Sequence, residues 1–226
     1  MKKITVALIM FSSFSYAQMR TNIDAFDNQR GRAFDVEKTI KAYQGIEGNP
    51  YFKEEFLPVV VEGYSKAVPN LRYNIYEDEM EFMVNNTINY VVKEAGEMRI
   101  KFPTLGNKTY LLSQYTLEGN TKTGYLVELF KSNNLGLYKK ENIQVIENKN
   151  STTNTYLKAK NPYFEKDNDV FVIKKGDDFL KLPKNIKELK TILSKDAQKI
   201  EEFNKKKKIN FKKEQDLISL FEMLKA

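Results

Sequence analysis

The sequence contains no cysteine, no histidine and no tryptophan among its 226 residues. Without cysteine it forms no disulfides, so its core must hold it together unaided. Without histidine and cysteine it has no Ser-His-Asp or Cys-His catalysis, no zinc site with those ligands and no histidine-ligated haem. The side chains that remain available for catalysis are carboxylates, lysine, tyrosine and serine.

Several sequence motifs are also absent. There is no Walker phosphate loop, no dinucleotide glycine fingerprint, no G-x-S-x-G elbow and no EF-hand spacing. No apolar run is long enough for a permanent transmembrane helix. These absences favour a non-enzyme, and no catalytic residue, metal site or cofactor is predicted.

The N-terminus has the three parts of a secretory signal. Lys2 and Lys3 form a basic start, and residues 4–14 are an apolar run. Ser15 and Ala17 then place small residues at the two positions that signal peptidase reads. Residues 1–17 are therefore predicted to be a signal peptide. We expect an exported protein, whether periplasmic, outer-membrane-associated or secreted.

Positive charge is concentrated at the C-terminal end. Residues 184–226 hold 12 lysines against 7 acidic residues, an excess of five. Residues 18–183 are balanced, with 23 basic and 23 acidic side chains, and Lys2 and Lys3 complete the net charge of +7. The pattern predicts a neutral body with a basic tail.

The chain is organised around residues 71–84, where apolar residues alternate with polar ones. Leu71, Tyr73 and Ile75 share one side of an extended chain, and Met80, Phe82 and Val84 repeat the pattern after an acidic break. A period of two on both sides of a turn predicts two antiparallel strands with one buried face.

Further segments rich in Val, Ile, Tyr and Phe are separated by a polar loop at 148–154 and by polar turns, which include Glu118-Gly119-Asn120 and Lys175-Gly176-Asp177. The segments are residues 57–64, 88–93, 97–102, 108–116, 123–131, 135–138, 142–147, 156–160, 170–174 and 178–182. Helical crossovers do not fit between them, so a parallel sheet is excluded. We predict a mainly β, α+β fold, an antiparallel meander resembling a barrel or a sandwich.

The period becomes helical after Pro183, which predicts two or three short C-terminal helices. Asn185 is a suitable N-cap, and Glu188 is placed to reach back to its backbone amide. The predicted organisation is a signal peptide at 1–17, a partly ordered arm at 18–50, an antiparallel β domain at 51–183 and a basic helical tail at 184–226 packed on that domain.

One stretch of the sequence also resembles a known group. Gly48-Asn49-Pro50-Tyr51-Phe52, then Phe56, Leu71-Arg72-Tyr73-Asn74 and Asp78-Glu79-Met80-Glu81-Phe82 are similar to a "PYL…F…LRYN…DEMEF" core. That core, with a Lys-rich helical tail, occurs in exported proteins of Bacteroidetes. Phe52 replaces the expected leucine. The resemblance implies export and a β-rich fold, and it supplies no catalytic residues.

The acidic cluster at 77–81 is the best candidate for chemistry. Paired carboxylates can divide acid and base roles in glycoside hydrolysis, so a glycan hydrolase is one hypothesis. The alternation of Glu79 and Glu81 with apolar residues favours a solvated strand face instead. Arg72 and Asn74 on the neighbouring strand are expected to pair with these carboxylates or to line a ligand groove with them.

The basic tail carries a run of four lysines, Lys205, Lys206, Lys207 and Lys208. The run either connects two helices in solvent or contacts anionic lipid. No aromatic residues interleave with it in an RNA-binding pattern, and we expect no nucleic acid partner. The favoured function is a non-catalytic envelope module that binds a ligand or partner such as an envelope protein, a glycan or an anionic lipid surface.

Overall fold

The computed structural model describes residues 43, 45–64, 67–93, 96–147 and 161–225. The signal peptide predicted at 1–17, most of the arm at 18–50, the loop at 148–154 and the strand at 156–160 lie outside these residues. All strand pairs in the described chain are antiparallel, and three short helices follow them. The predicted fold class is therefore confirmed.

A seven-stranded sheet forms the body of the protein, in the order β1-β5-β6-β7-β8-β11-β12. Its strands are β1 Val60–Val61, β5 Met98–Phe102, β6 Lys108–Leu117, β7 Asn120–Lys131, β8 Leu135–Lys140, β11 Val170–Lys175 and β12 Asp178–Lys181. The β6–β7 hairpin turns at Glu118-Gly119 and the β11–β12 hairpin at Gly176-Asp177, where the sequence predicted turns.

A three-stranded sheet covers part of one face of this body. It consists of β2 Leu71–Asn74, β3 Glu79–Val84 and β4 Thr87–Tyr90. Leu71 pairs with Phe82 and Tyr73 with Met80, as the alternation predicts. All four are buried and pack against β5, β6 and β7, so the two sheets share one core.

A smaller sheet lies beside the three-stranded one. It pairs β9 Ile143–Ile146 with β10 Tyr163–Lys166. Tyr43 packs edge-on against Tyr76 and Phe164, with ring centroids 6.1 and 5.2 Å away. The described end of the N-terminal segment therefore contacts both small sheets.

The opposite face of the large sheet encloses a second, smaller core. The sheet curls so that β12 comes to lie over β6. The ring of Phe179 on β12 then packs 5.9 Å from Tyr115 and 6.0 Å from Tyr138. This curl is what places the cleft described below.

The tail forms three helices, α1 Ile186–Ile192, α2 Ala197–Lys206 and α3 Glu214–Lys225. Their apolar stripes pack on Leu137 of β8 and Ile173 of β11. The Asn185 side chain caps α1 by accepting from the Glu188 amide at 3.0 Å. Glu188 accepts from the Asn185 side-chain amide at 2.6 Å rather than from its backbone, a small correction.

The strand predictions differ from the structure in four places. Val84, predicted on the buried face with Phe82, ends β3 and is 45% exposed. The strand predicted at 57–64 is only Val60–Val61, because Pro58 donates no backbone hydrogen bond and Gly63 turns the chain at φ 69°. β10 was not predicted. β4 and β5 are consecutive in sequence but lie in different sheets, because each finds a longer partner elsewhere.

Candidate functional site

The interpretation of Glu79 and Glu81 as a solvated strand face is wrong for Glu81, which is fully buried. The segment at 45–57 covers the Glu81 side of the three-stranded sheet and shields it from water, with a bridge between Tyr51 and Asn74. Burial raises the pKa of Glu81, against the lowering effect of hydrogen bonds from Asn74 and Arg72.

Arg72 provides the counter-charge for Glu81. Its Nε donates to Glu81 Oε2 at 2.7 Å across the β2–β3 pair, as the sequence predicted. Its Nη2 donates to the Tyr51 hydroxyl at 2.9 Å. The guanidinium lies between two rings, 3.9 Å from the Tyr51 centroid and 4.4 Å from that of Phe56. Arg72 thus fastens the N-terminal segment to the sheet.

Asn74 completes this arrangement. It is fully buried, and its Nδ2 donates to Glu81 Oε1 and to the Tyr43 hydroxyl, both at 2.8 Å. Its Oδ1 accepts from the Glu77 amide at 3.1 Å and so shapes the β2–β3 turn. Arg72, Asn74 and Glu81 are brought together as predicted, in contacts that hold three segments in place.

The Asp78 side chain lies between β7 and β8, beyond the point where these two strands stop pairing. β8 pairs with β7 only from Val127 onward, which leaves the earlier part of β7 without that neighbour. Asp78 Oδ1 fills the gap, accepting from the Tyr125 amide at 3.1 Å and from Lys140 Nζ at 2.5 Å. Its carboxylate occupies the space that a side chain at Gly124 would take.

The remaining acidic residues at 77–81 have simpler surroundings. Glu79 pairs with Lys93 at 3.1 Å, and Glu77 is exposed. Glu81, Asp78 and Glu79 thus each have a basic partner within the protein. The cluster holds strands together, and none of its carboxylates lines the clefts found among the described residues. Arg72 lines only a narrow pocket of about 10 Å³.

The four lysines of the basic run are exposed at the end of α2 and in the connection to α3. Lys207 pairs with Asp216 of α3 at 3.2 Å. Their position agrees with the predicted link between two helices.

The strongest candidate for a binding site is a cleft that sequence reasoning missed. It has a volume of about 580 Å³ and runs between the β6–β7 hairpin and β12. An adjoining depression of about 480 Å³ continues it toward α1. Glu118, Lys181 and Ile192 line both, so we call the two together the β12 cleft.

Strand β12 is the last strand of the sheet and pairs only with β11 in the described chain. The Leu182 amide donates to the Phe171 carbonyl at 2.8 Å, which fixes the alternation of the ladder. In an antiparallel pair, alternate residues turn their backbone groups away from the partner. Phe179 and Lys181 therefore direct theirs to the open side of β12, where the cleft lies.

Glu118 lies at the opening of the β12 cleft. Its carboxylate pairs with Lys181 Nζ at 2.7 Å across the opening. Its backbone is in the left-handed region, at φ 51°, in a two-residue hairpin turn that favours Asn or Gly. The other non-glycine residues that share this conformation in the described chain are Asp or Asn. Strain of this kind is characteristic of functional positions.

Tyr115 forms the floor of the cleft with Phe179. Burial raises the pKa of its hydroxyl, and the negative charge of Asp78 adds to the effect. Burial, with help from Glu128, likewise raises the pKa of Tyr138 to about 12. Both phenols are therefore neutral at physiological pH, and Tyr115 offers the cleft a hydroxyl and apolar contact rather than a phenolate base.

The sequence held one signal for this site. The Glu118-Gly119-Asn120 cluster predicted a turn, and a glutamate is an unusual residue for its left-handed position. Nothing local indicated that β12 would approach this turn. The cleft is made by the curl of the sheet.

The described chain contains no group of three or more His, Cys, Asp or Glu placed to hold a metal ion. Among the same residues, no helix has the length and hydropathy needed to cross a membrane. No family model matches the chain, and neither a curated protein nor a solved structure matches it. The resemblance to the Bacteroidetes group therefore stays a prediction.

Proposed function

We propose that the protein is an exported, non-catalytic binding module that captures an extended peptide segment of an envelope protein in the β12 cleft. The observation that carries this proposal is the open side of β12 beside a cleft of about 580 Å³. A peptide added there pairs with the backbone groups of Phe179 and Lys181, which is the β-augmentation mode of recognition.

The side chains around the cleft suit a mixed peptide. Leu180 is 37% exposed on β12. The charged side chains that line the cleft are Glu118, Asp177, Asp178 and Glu188, with Lys181 and Lys184 of the opposite sign. Backbone pairing supplies affinity, and alternate side chains of the peptide meet the apolar and charged positions in turn. Three of the four carboxylates at 77–81 have basic partners within the protein and the fourth, Glu77, is exposed, so the geometry favours binding over the hydrolase hypothesis.

The experiment uses a library of random ten-residue peptides displayed on phage, with the full chain as bait. Selected peptides are synthesised, and their affinity is measured by fluorescence anisotropy. Lys181→Pro removes the outward N–H, and its ring blocks a neighbouring strand, without touching the β11 ladder. We expect it to weaken binding at least about tenfold.

Lys181→Ala is the matched control, because it loses the same side chain and its pair with Glu118 but keeps the N–H. It should bind within about twofold of the natural protein. Should Lys181→Pro unfold, Gln114→Trp tests the same cleft, because Gln114 is an exposed lining residue on a strand that tolerates an aromatic ring. Binding that survives both Lys181→Pro and Gln114→Trp, or a library that yields no binder, would refute the proposal.

A further inference from the structure

The connection between α2 and α3 presents the most concentrated positive charge in the described chain. Residues 203–213 contain six lysines and no acidic residue. Lys205, Lys206, Lys208, Lys212 and Lys213 are exposed, and none has an ion pair to a described residue. We call these five lysines the basic corner.

The loop that carries the basic corner has a defined shape. Ile209 is buried, and its amide donates to Asn204 Oδ1 at 3.1 Å. The amide of Asn210 donates to Asp216 Oδ2 at 3.3 Å, and the Lys212 amide donates to Asn210 Oδ1 at 2.9 Å. The lysines therefore project from a backbone that is already folded, which lowers the ordering cost of binding.

Helix stability explains only part of this charge. Lys205 and Lys206 lie in the last turn of α2, where cations complement the helix macrodipole. Lys208, Lys212 and Lys213 lie beyond that turn, and Lys213 immediately precedes α3, whose N-terminus disfavours positive charge. Asp216 offsets part of the charge of Lys213, and an external anion would offset the repulsion that remains among these three lysines.

We propose that the basic corner docks the protein on a membrane surface through anionic lipid headgroups. All five side chains are lysines, which act as compact point charges suited to a diffuse anionic surface. The corner contains no arginine for bidentate reading of phosphates or bases, which makes nucleic acid the weaker fit. Phe211 packs into the helical core, so the contact is electrostatic and lies at the surface.

The test is co-sedimentation of the full chain with vesicles of phosphatidylcholine containing about one-third phosphatidylglycerol, at low salt and at about 0.5 M NaCl. We expect binding at low salt that falls at least about tenfold at high salt. Replacing Lys205, Lys206, Lys208 and Lys212 by alanine should lower low-salt binding at least about tenfold. Lys207 is left in place because it pairs with Asp216.

The control replaces four other exposed lysines by alanine, at 53, 101, 131 and 225, so that the net charge is the same. Lys225 ends α3, about 17 Å along the helix from the corner. The control should retain binding within about threefold. Equal loss in both variants, equal binding to pure phosphatidylcholine vesicles, or tighter binding to duplex DNA than to anionic vesicles would each overturn the proposal. The β12 cleft is untouched by either variant, so peptide capture is tested separately.

Discussion

Gly124→Ala should destabilise this protein, although alanine in a strand is ordinarily better than glycine by about 0.5–1 kcal/mol. A Cβ atom at residue 124 would overlap Asp78 Oδ2 and lie 3.2 Å from its Cγ. It would also lie 3.3 Å from the Tyr115 hydroxyl. The Asp78 carboxylate must therefore move out of the gap between β7 and β8.

The size of the effect follows from what the Asp78 carboxylate binds. It accepts from the Tyr73 hydroxyl at 2.7 Å, from Lys140 Nζ at 2.5 Å and from the Tyr125 amide at 3.1 Å. The Lys140 side chain is only 7% exposed, so displacing its counter-ion leaves a buried charge uncompensated. Breaking a buried pair in this way costs about 3 kcal/mol.

The assay is equilibrium unfolding in urea, followed by far-UV circular dichroism and tyrosine fluorescence. With a slope of about 2 kcal/mol per M, the midpoint should fall by about 1.5 M. The matched background is Asp78→Gly, which removes the carboxylate and tolerates the positive φ of 58°. In that background Gly124→Ala should cost less than about 0.5 kcal/mol. An equal cost in both backgrounds would refute the overlap with Asp78.

Substitutions at three other positions test individual contacts by the same urea assay. Arg72→Ala should lower the free energy of unfolding by about 3 kcal/mol, because it leaves Glu81 buried without its counter-ion. Arg72→Lys should recover only part of this loss, because lysine cannot stack as the planar guanidinium does. Full recovery by lysine would contradict this reasoning. Because burial raises the folded-state pKa of Glu81, its contribution is greatest below its ordinary pKa and is lost as pH rises through the raised value. The stability of the natural protein relative to Glu81→Gln should therefore fall as the pH rises from the ordinary pKa of glutamate through the raised pKa of Glu81, and a constant or rising difference would exclude the shift. Asn185→Ala should cost about 1 kcal/mol through loss of the α1 cap and Asn185→Asp much less, so equal losses would show that the cap contributes nothing.

Alternation along the chain was sufficient to predict the central strands. Tyr73 and Met80 were assigned to one buried face, and they pair across β2 and β3. This works because side chains in a strand point alternately to its two faces, so a local pattern reports which face is apolar. The helical stripes of the tail were predictable for the same reason, with a period of 3.6 in place of 2.

The same pattern did not predict that Glu81 is buried. Alternation shows that Glu81 lies opposite the apolar face, but it does not show whether another segment covers that side. The segment at 45–57 does so, and Tyr51 and Phe56 enclose Arg72 above the carboxylate. A polar strand face that another segment covers has the same sequence pattern as one that stays in contact with water.

The sequence by itself determined the strand periods, the main turns and the concentration of lysines near residue 205. The tertiary structure decided which strands share a sheet, that Asp78 enters the gap beside Gly124, and that β12 approaches the Glu118 turn. The physical reason is the distance along the chain over which each kind of interaction acts. Backbone geometry and side-chain direction repeat over a few residues, whereas the curl of the sheet depends on packing between residues more than sixty positions apart, as Phe179 against Tyr115 shows.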